Sequence, residues 1–213
     1  MGQMGQTEPV AAVHALARAE REAFADLLDS LTAEQWDAAS LCAGWTVRDV
    51  AVHTIAYLDQ SRMTLVRSMF THRWDVDRLN SDALAGHRLL TPARLVELMR
   101  QGARPAGAGA LYGGRVALIE CLIHQQDIRR PLGLPRVVEP AALRAALRYA
   151  RASPVIGAAR RTRGLRLSAT DLDWAAGRGP QVRGTAEALL LAMTGRAAHV
   201  RAELAGDGVQ LLR

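Results

Sequence analysis

From Arg115 to Arg130 the chain reads RVALIECLIHQQDIRR, and Val116–Ile123 within it is apolar nearly all the way round a helical wheel. A helix with no polar face has to be covered on every side, so the segment predicts a core element surrounded by other helices. Pro131 stops it. Glu120 stands in the middle of the apolar run. Val116, Ile119 and Ile123 mark one arc of the wheel, and Glu120, His124 and Asp127 continue that arc, so the polar groups face inward. An ionised carboxylate on such a face costs on the order of several kcal/mol to desolvate, or else takes up a proton. An arginine or a metal ion is required beside it.

The covering helices are marked by their ends. Pro9 to Ser30 is amphipathic around Val13, Leu16, Ala17, Phe24, Leu27 and Leu28. Thr32 and Gln35 have capping-box spacing and start a short turn. In LCAGWTVRDVAVHTIAYLD, Leu41–Asp59, Thr46 and Asp49 form a second capping box, with Trp45 and Val50 in staple positions. A helix therefore begins at Val47, and its pattern carries it to about Phe70. Val47, Val50, Thr54, Leu58 and Leu65 share one side, and His53 lies on the flank of that side beside Tyr57. Cys42, just before this helix, fits either a small buried hydrophobe in a tight turn or a thiol with its pKa lowered by the helix start. Arg73 to Leu89 is mixed, with weak helical spacing. Thr91-Pro92 opens a helix ended by Gly102. Ala103 to Gly114, rich in Gly, Ala and Pro, predicts a mobile loop of the kind that borders binding sites.

Pro140 to Arg151 makes a further helix, and the arginine-rich stretch Ala152–Gly164 contains Pro154 and Gly157, where a domain boundary is placed. Beyond it the period changes. Leu165, Leu167 and Ala169 alternate with polar residues as in a strand, Gly177–Pro180 is a turn, Thr185 caps a helix ended by Gly195, and Val209–Leu212 reads as a terminal strand. Residues 9–152 thus read as a helical bundle and 153–213 as a small α+β unit.

Composition narrows the function. No apolar run approaches a membrane span and the first ten residues lack the form of a signal peptide, so a cytoplasmic protein that does not enter membranes is expected. Two cysteines, Cys42 and Cys121, are too few for a disulfide framework and point to reduced thiols. The formal charge of +6 comes with 27 arginines and no lysine. The arginines are scattered, and 4% aromatic residues leave little to stack on bases, so nucleic acid is not expected as a partner.

Glu120 and His124, four apart, stand one turn from each other on one face, the spacing for gripping one ion. A Glu–His hydrogen bond uses the same spacing. His53, from a facing helix, completes two histidines and a carboxylate, a three-ligand set with open positions as in catalytic zinc sites. Asp127, one turn on, fits a carboxylate that holds a ligand imidazole, or a partner of Arg130 or of a backbone amide. His14, His72, His87 and His199 have no partner at ligand spacing and read as exposed or capping residues.

Together SLCAGWTVRDVAVH, ECLIHQQDIRRPLG and GPQVRGTAEALLLAMTGR followed by LAGDGV resemble the mycothiol-dependent maleylpyruvate isomerase family, within the DinB-like group of metalloenzymes. The resemblance runs from Pro9 to Arg213. It implies a mainly α fold, a DinB-like four-helix bundle followed by a small α+β domain, and a divalent metal, usually zinc, held at His53, Glu120 and His124. It further implies a low-molecular-weight thiol, mycothiol, whose sulfur adds to an electrophilic small-molecule substrate in an isomerisation or S-transfer. Arg196, in the TGR motif, then either reaches a substrate carboxylate or caps helix carbonyls. The thiol is expected between the two domains, near the Ala103–Gly114 loop and the arginines of the small domain. A hydrolase using the same metal with Asp127 as general base, and a non-catalytic binding protein, are the alternatives.

Overall fold

The computed structural model describes residues 9–61, 63–64, 67 and 90–212. The chain divides into two compact units, Met1–Pro135 and Arg136–Arg213. In the first, α1 (Val10–Asp29) leads through the short α2 (Ala33–Trp36) to α3 (Val47–Asp59), and α4 (Pro92–Gln101) precedes α5 (Arg115–Arg129). The anticipated starts are present. Thr32 with Gln35 and Thr46 with Asp49 form complete capping boxes, and the Thr91 side chain accepts from Arg94 N ahead of Pro92. Each cap satisfies amide donors that would otherwise be left unpaired at a helix start, typically about 1 kcal/mol apiece.

Helices α1 and α3 each pack against both α4 and α5, which makes a four-helix bundle. The all-apolar segment lies where its composition requires. From Val116 to Ile128 every residue of α5 is buried except Glu120. Phe24 and Leu28 of α1, Leu58 of α3, Leu95 and Met99 of α4, and Leu118, Ile119 and Leu122 of α5 are fully covered. Each such side chain contributes about 1.5–3 kcal/mol on leaving water. Two polar side chains inside are well paired: Gln125 Nε2 donates to the carbonyl and the carboxylate of Glu20, both at 3.0 Å, and Arg21 Nε donates to Met99 O at 3.1 Å.

Helix α3 stops sooner than its periodicity indicates. Gln60 is extended, at φ −66° and ψ 144°, and Ser61 Oγ accepts from Thr64 N at 3.0 Å, the mark of a new helical start. The glycine-rich loop explains the break. Ala108 N donates to Gln60 O and Gly109 N to Leu58 O, so carbonyls left over at the end of α3 are met by loop amides rather than by further helix. Gly107, at φ +48°, lies so close that a β-carbon there would stand 2.3 Å from Gln60 O. The loop predicted to be a binding border is, in its described contacts, a compact cap with Ala108 wholly buried. Leu65, Phe70, His72, Trp74, the Arg73–Leu89 segment and His87 lie outside the described residues.

The second unit opens with α6 (Pro140–Ala152), then α7 (Ala158–Arg161), β1 (Arg166–Ala169), β2 (Ala175–Gly177), β3 (Gln181–Gly184), α8 (Ala186–Leu191) and α9 (Ala197–Val200). A π-turn over Ala192–Arg196 joins the last two, with Gly195 at φ +98°. The sheet order is β2-β1-β3, β1 running antiparallel to β2 and parallel to β3, with Leu167 opposite Ala176 on one side and Val182 on the other. Two expectations shift here. The sequence reading grouped the Pro140 helix with the bundle, but α6 packs on α7 and α8, so the contact boundary falls at Pro135. The terminal strand is a 3-10 turn over Val209–Leu211, because Val209 and Leu212 are buried three residues apart, a helical rather than a strand period. Ala205, before the Gly206 turn, makes the bridge to Arg183 of β3 instead.

Candidate metal centre

His53 is set by the cap at Thr46, which fixes the phase of α3 and turns the imidazole toward α5. Its ring lies 5.1 Å from that of Trp45, stacks on Tyr57 at 6.0 Å, and meets His124 edge-on at 5.0 Å. Glu120 and His124 project from one face of α5. His53 Nε2 stands 3.7 Å and His124 Nε2 3.2 Å from the same Glu120 oxygen, Oε2. The three donor atoms all lie within 4.8 Å of one another.

These separations suit a divalent ion. Ligand atoms about 2.1 Å from a tetrahedral centre are about 3.4 Å apart along each edge, and both distances to Glu120 Oε2 straddle that value. Two neutral imidazoles and one carboxylate also form a donor set that zinc accepts. The histidines are nearly closed off, each side chain 10% exposed, whereas the Glu120 side chain is 22% exposed. Glu120 was expected to be inside the core. It is instead the one residue between Val116 and Ile128 that is not buried.

Asp127 is fully buried, and its Oδ2 collects two donors: His124 Nδ1 at 2.8 Å and Cys42 Sγ at 3.1 Å. Binding Nδ1–H there leaves the Nε2 lone pair of His124 directed at the Glu120 side, the tautomer a metal ligand needs. The backbone adds to the fixture, since Leu41 N donates to Asp127 O at 2.9 Å. Of the roles open to Asp127 from sequence, holding the imidazole is one its geometry matches. The thiol contact of Cys42 was the part no spacing rule could find, because it spans 85 residues. Cys42, Asp127 and His124 also cluster closely enough to count as metal donors, but at 2.8 and 3.1 Å their contacts are hydrogen bonds, shorter than a ligand edge.

The electrostatics of the protein without metal follow from these contacts. Burial pushes the Glu120 carboxyl up, but His124 and His53 more than offset this and hold it well below the usual carboxylate range. Burial pushes His124 down, and hydrogen bonding with Asp127, then Cys42 and Glu120, raises it well above its ordinary value. A proton on His124 thus occupies the place a cation would take.

Arg196 lies in the π-turn, its Nη1 donating to Thr194 O at 2.7 Å, the carbonyl-capping half of the two roles anticipated. His199 is exposed, and His14 is half-buried against Gly114, where a β-carbon would come within 2.5 Å of the ring.

Residues 17–111 match the family model for the mycothiol maleylpyruvate isomerase N-terminal domain. The matched span includes His53 and precedes Glu120. Among solved structures, the chain shares the fold of the mycothiol-dependent maleylpyruvate isomerase, at 16% identity and a TM-score of 0.58, covering 94% of this chain and 93% of that one. A histidine-to-alanine mutant of a mycothiol-dependent maleylpyruvate isomerase gives 15% identity and a TM-score of 0.59 over the same shares. No curated protein matches the sequence significantly. Among the described residues no helix is long and apolar enough to cross a membrane.

Proposed function

We propose that this chain, which carries the mycothiol maleylpyruvate isomerase N-terminal domain and shares the whole fold of that enzyme, is a metal- and mycothiol-dependent enzyme that adds a thiolate to an electrophilic substrate, with isomerisation of a maleyl compound as the leading reaction. The observation that carries this reading is the convergence of His53 of α3 with Glu120 and His124 of α5. The three residues hold the ion, and zinc is the metal that best suits their donor set. A divalent ion bound there supplies Lewis acidity, lowering the pKa of a thiol so that thiolate prevails near neutral pH.

The chain's own residues prepare the place. Asp127 holds His124 in its Nδ1–H tautomer, and Trp45 and Tyr57 fix the plane of His53. In the isomerase reaction the thiolate sulfur bonds to one carbon of the cis double bond, and the electron pair moves onto the conjugated carbonyl. The resulting single bond rotates. Expulsion of the thiolate then restores the double bond as trans, with no net change in atoms or electrons. No protein base is obligatory. Asp127, the base required by a hydrolase, is fully buried and engaged with His124 and Cys42, which weighs against that alternative. A reduced, cytoplasmic setting suits the thiol.

Metal analysis of purified protein, followed by turnover of a maleyl substrate with and without mycothiol, tests the reading. About one zinc per chain and turnover that needs both components are the expected results. Turnover that persists after removal of the thiol and the metal would refute it.

A further inference from the structure

The positive charge of this protein belongs to one unit. Arg136–Arg213 contains thirteen arginines and six carboxylates, a formal +7, whereas Met1–Pro135 contains fourteen and fifteen, a formal −1. Within the second unit a cleft of about 310 Å³ is lined by Arg151, Arg163 and Arg178, with Thr162 and the glycines Gly164 and Gly177. Its walls include no carboxylate. The three arginines come from separate places: the last turn of α6, the segment after α7, and the turn between β2 and β3.

Three exposed arginines in the first unit have carboxylate partners. Arg18 pairs with Glu22, Arg94 with Glu97, and Arg100 with Asp26 and Asp29. Among the described residues, the side chains of Arg151, Arg163 and Arg178 form no ion pair or hydrogen bond. Like charges lining one concavity add to a positive potential in it, which draws anions. Gly177 is held to glycine by the backbone: at φ +82° a β-carbon there would stand 2.1 Å from Leu165 O.

We propose that this cleft binds a small organic anion bearing two or more carboxylate or phosphate groups. Guanidinium forks take either group bidentately, and three forks around one concavity match several charged groups rather than one. The volume sits at the lower end of small-molecule sites, about 300–1,000 Å³, and so favours a metabolite over a polymer. The proposal stands apart from the metal centre and does not rest on the isomerase reading.

The test is calorimetric titration of the full-length, metal-loaded protein at low ionic strength, with tricarballylate in one arm and inorganic phosphate in the other. Arg163→Gln with Arg178→Gln should weaken binding of the preferred anion at least tenfold. The control pair Arg104→Gln with Arg183→Gln removes the same charge elsewhere and should change it less than twofold, as should His53→Ala, which separates the cleft from the metal. Both side chains are exposed, so the cleft pair should melt close to the parent. Should it fail to fold, Arg163→Gln alone carries the same titration. Equal weakening by both pairs, loss of binding in His53→Ala, no heat with either anion, or tighter binding of single-stranded DNA than of both anions would each overturn the proposal.

Discussion

Asp127 offers the sharpest test of the site, because its carboxylate touches the proposed metal only through His124. Asp127→Asn keeps an oxygen that can accept from His124 Nδ1–H at the present 2.8 Å, but presents an amide in place of a charge to the Cys42 thiol. Asp127→Ala removes the acceptor altogether and leaves a donor stranded in a site with no exposure at Asp127. A partner of this kind behind a ligand histidine is worth roughly tenfold to hundredfold in metal affinity. That range is about 1.4–2.8 kcal/mol. The alanine variant also bears the cost of an unpaired buried donor, about 1–3 kcal/mol, which places it at the upper end or beyond. The expected order is therefore a loss of about tenfold for Asn and about a hundredfold or more for Ala. Competitive titration of zinc against a chromogenic chelator measures both, and melting of the metal-free variants separates lost affinity from lost fold. Affinities within twofold of the parent for both variants, or a greater loss for Asn than for Ala, would refute the reasoning.

His53→Ala removes a direct donor and should lower zinc content well below one per chain by elemental analysis, while the cap at Thr46 keeps α3 in place. For the metal-free protein, His124 is raised in the fold, so its contribution to stability is complete below about pH 6.5 and is lost as pH climbs through the folded value. Glu120 is depressed, so its contribution is present above about pH 4.5 and lost below it. Melting of metal-free protein should thus peak between these limits and fall toward alkaline pH, while zinc affinity rises over the same alkaline span because the ion competes with the proton on His124. Gly107→Ala should destabilise by more than about 1 kcal/mol in urea unfolding, since the added carbon meets a backbone carbonyl at 2.3 Å and the residue sits at positive φ.

Much of this was legible because the deciding interactions are local. Each capping box needs only four residues, and both form as their spacing indicates. Glu120 and His124 are one helical turn apart, so their shared face follows from the helix alone. What sequence could not supply was contact between distant segments. The pattern of α3 continues past Gln60, and only the amides of Ala108 and Gly109, about fifty residues on, end it there. The amphipathic α6 declares that it has a buried face, not which helices cover it. In the same way, Cys42 stood open between a small hydrophobe and a thiol at a helix start because its acceptor lies on another helix.

The segment between α4 and α5 has a consequence for how chains of this kind can diverge. Surface connections are ordinarily where insertions accumulate, because changing their length disturbs nothing else. Here one short stretch terminates the helix that carries His53 and runs directly into the helix that carries Glu120 and His124. Adding or deleting a residue would move the amides of Ala108 and Gly109 off Gln60 and Leu58, or shift the phase of α5 by about 100° per residue. The three donors would then part. This connection should therefore hold its length among relatives that keep the three donors more tightly than the helices hold their side chains, and drift in it should mark branches in which those donors no longer meet.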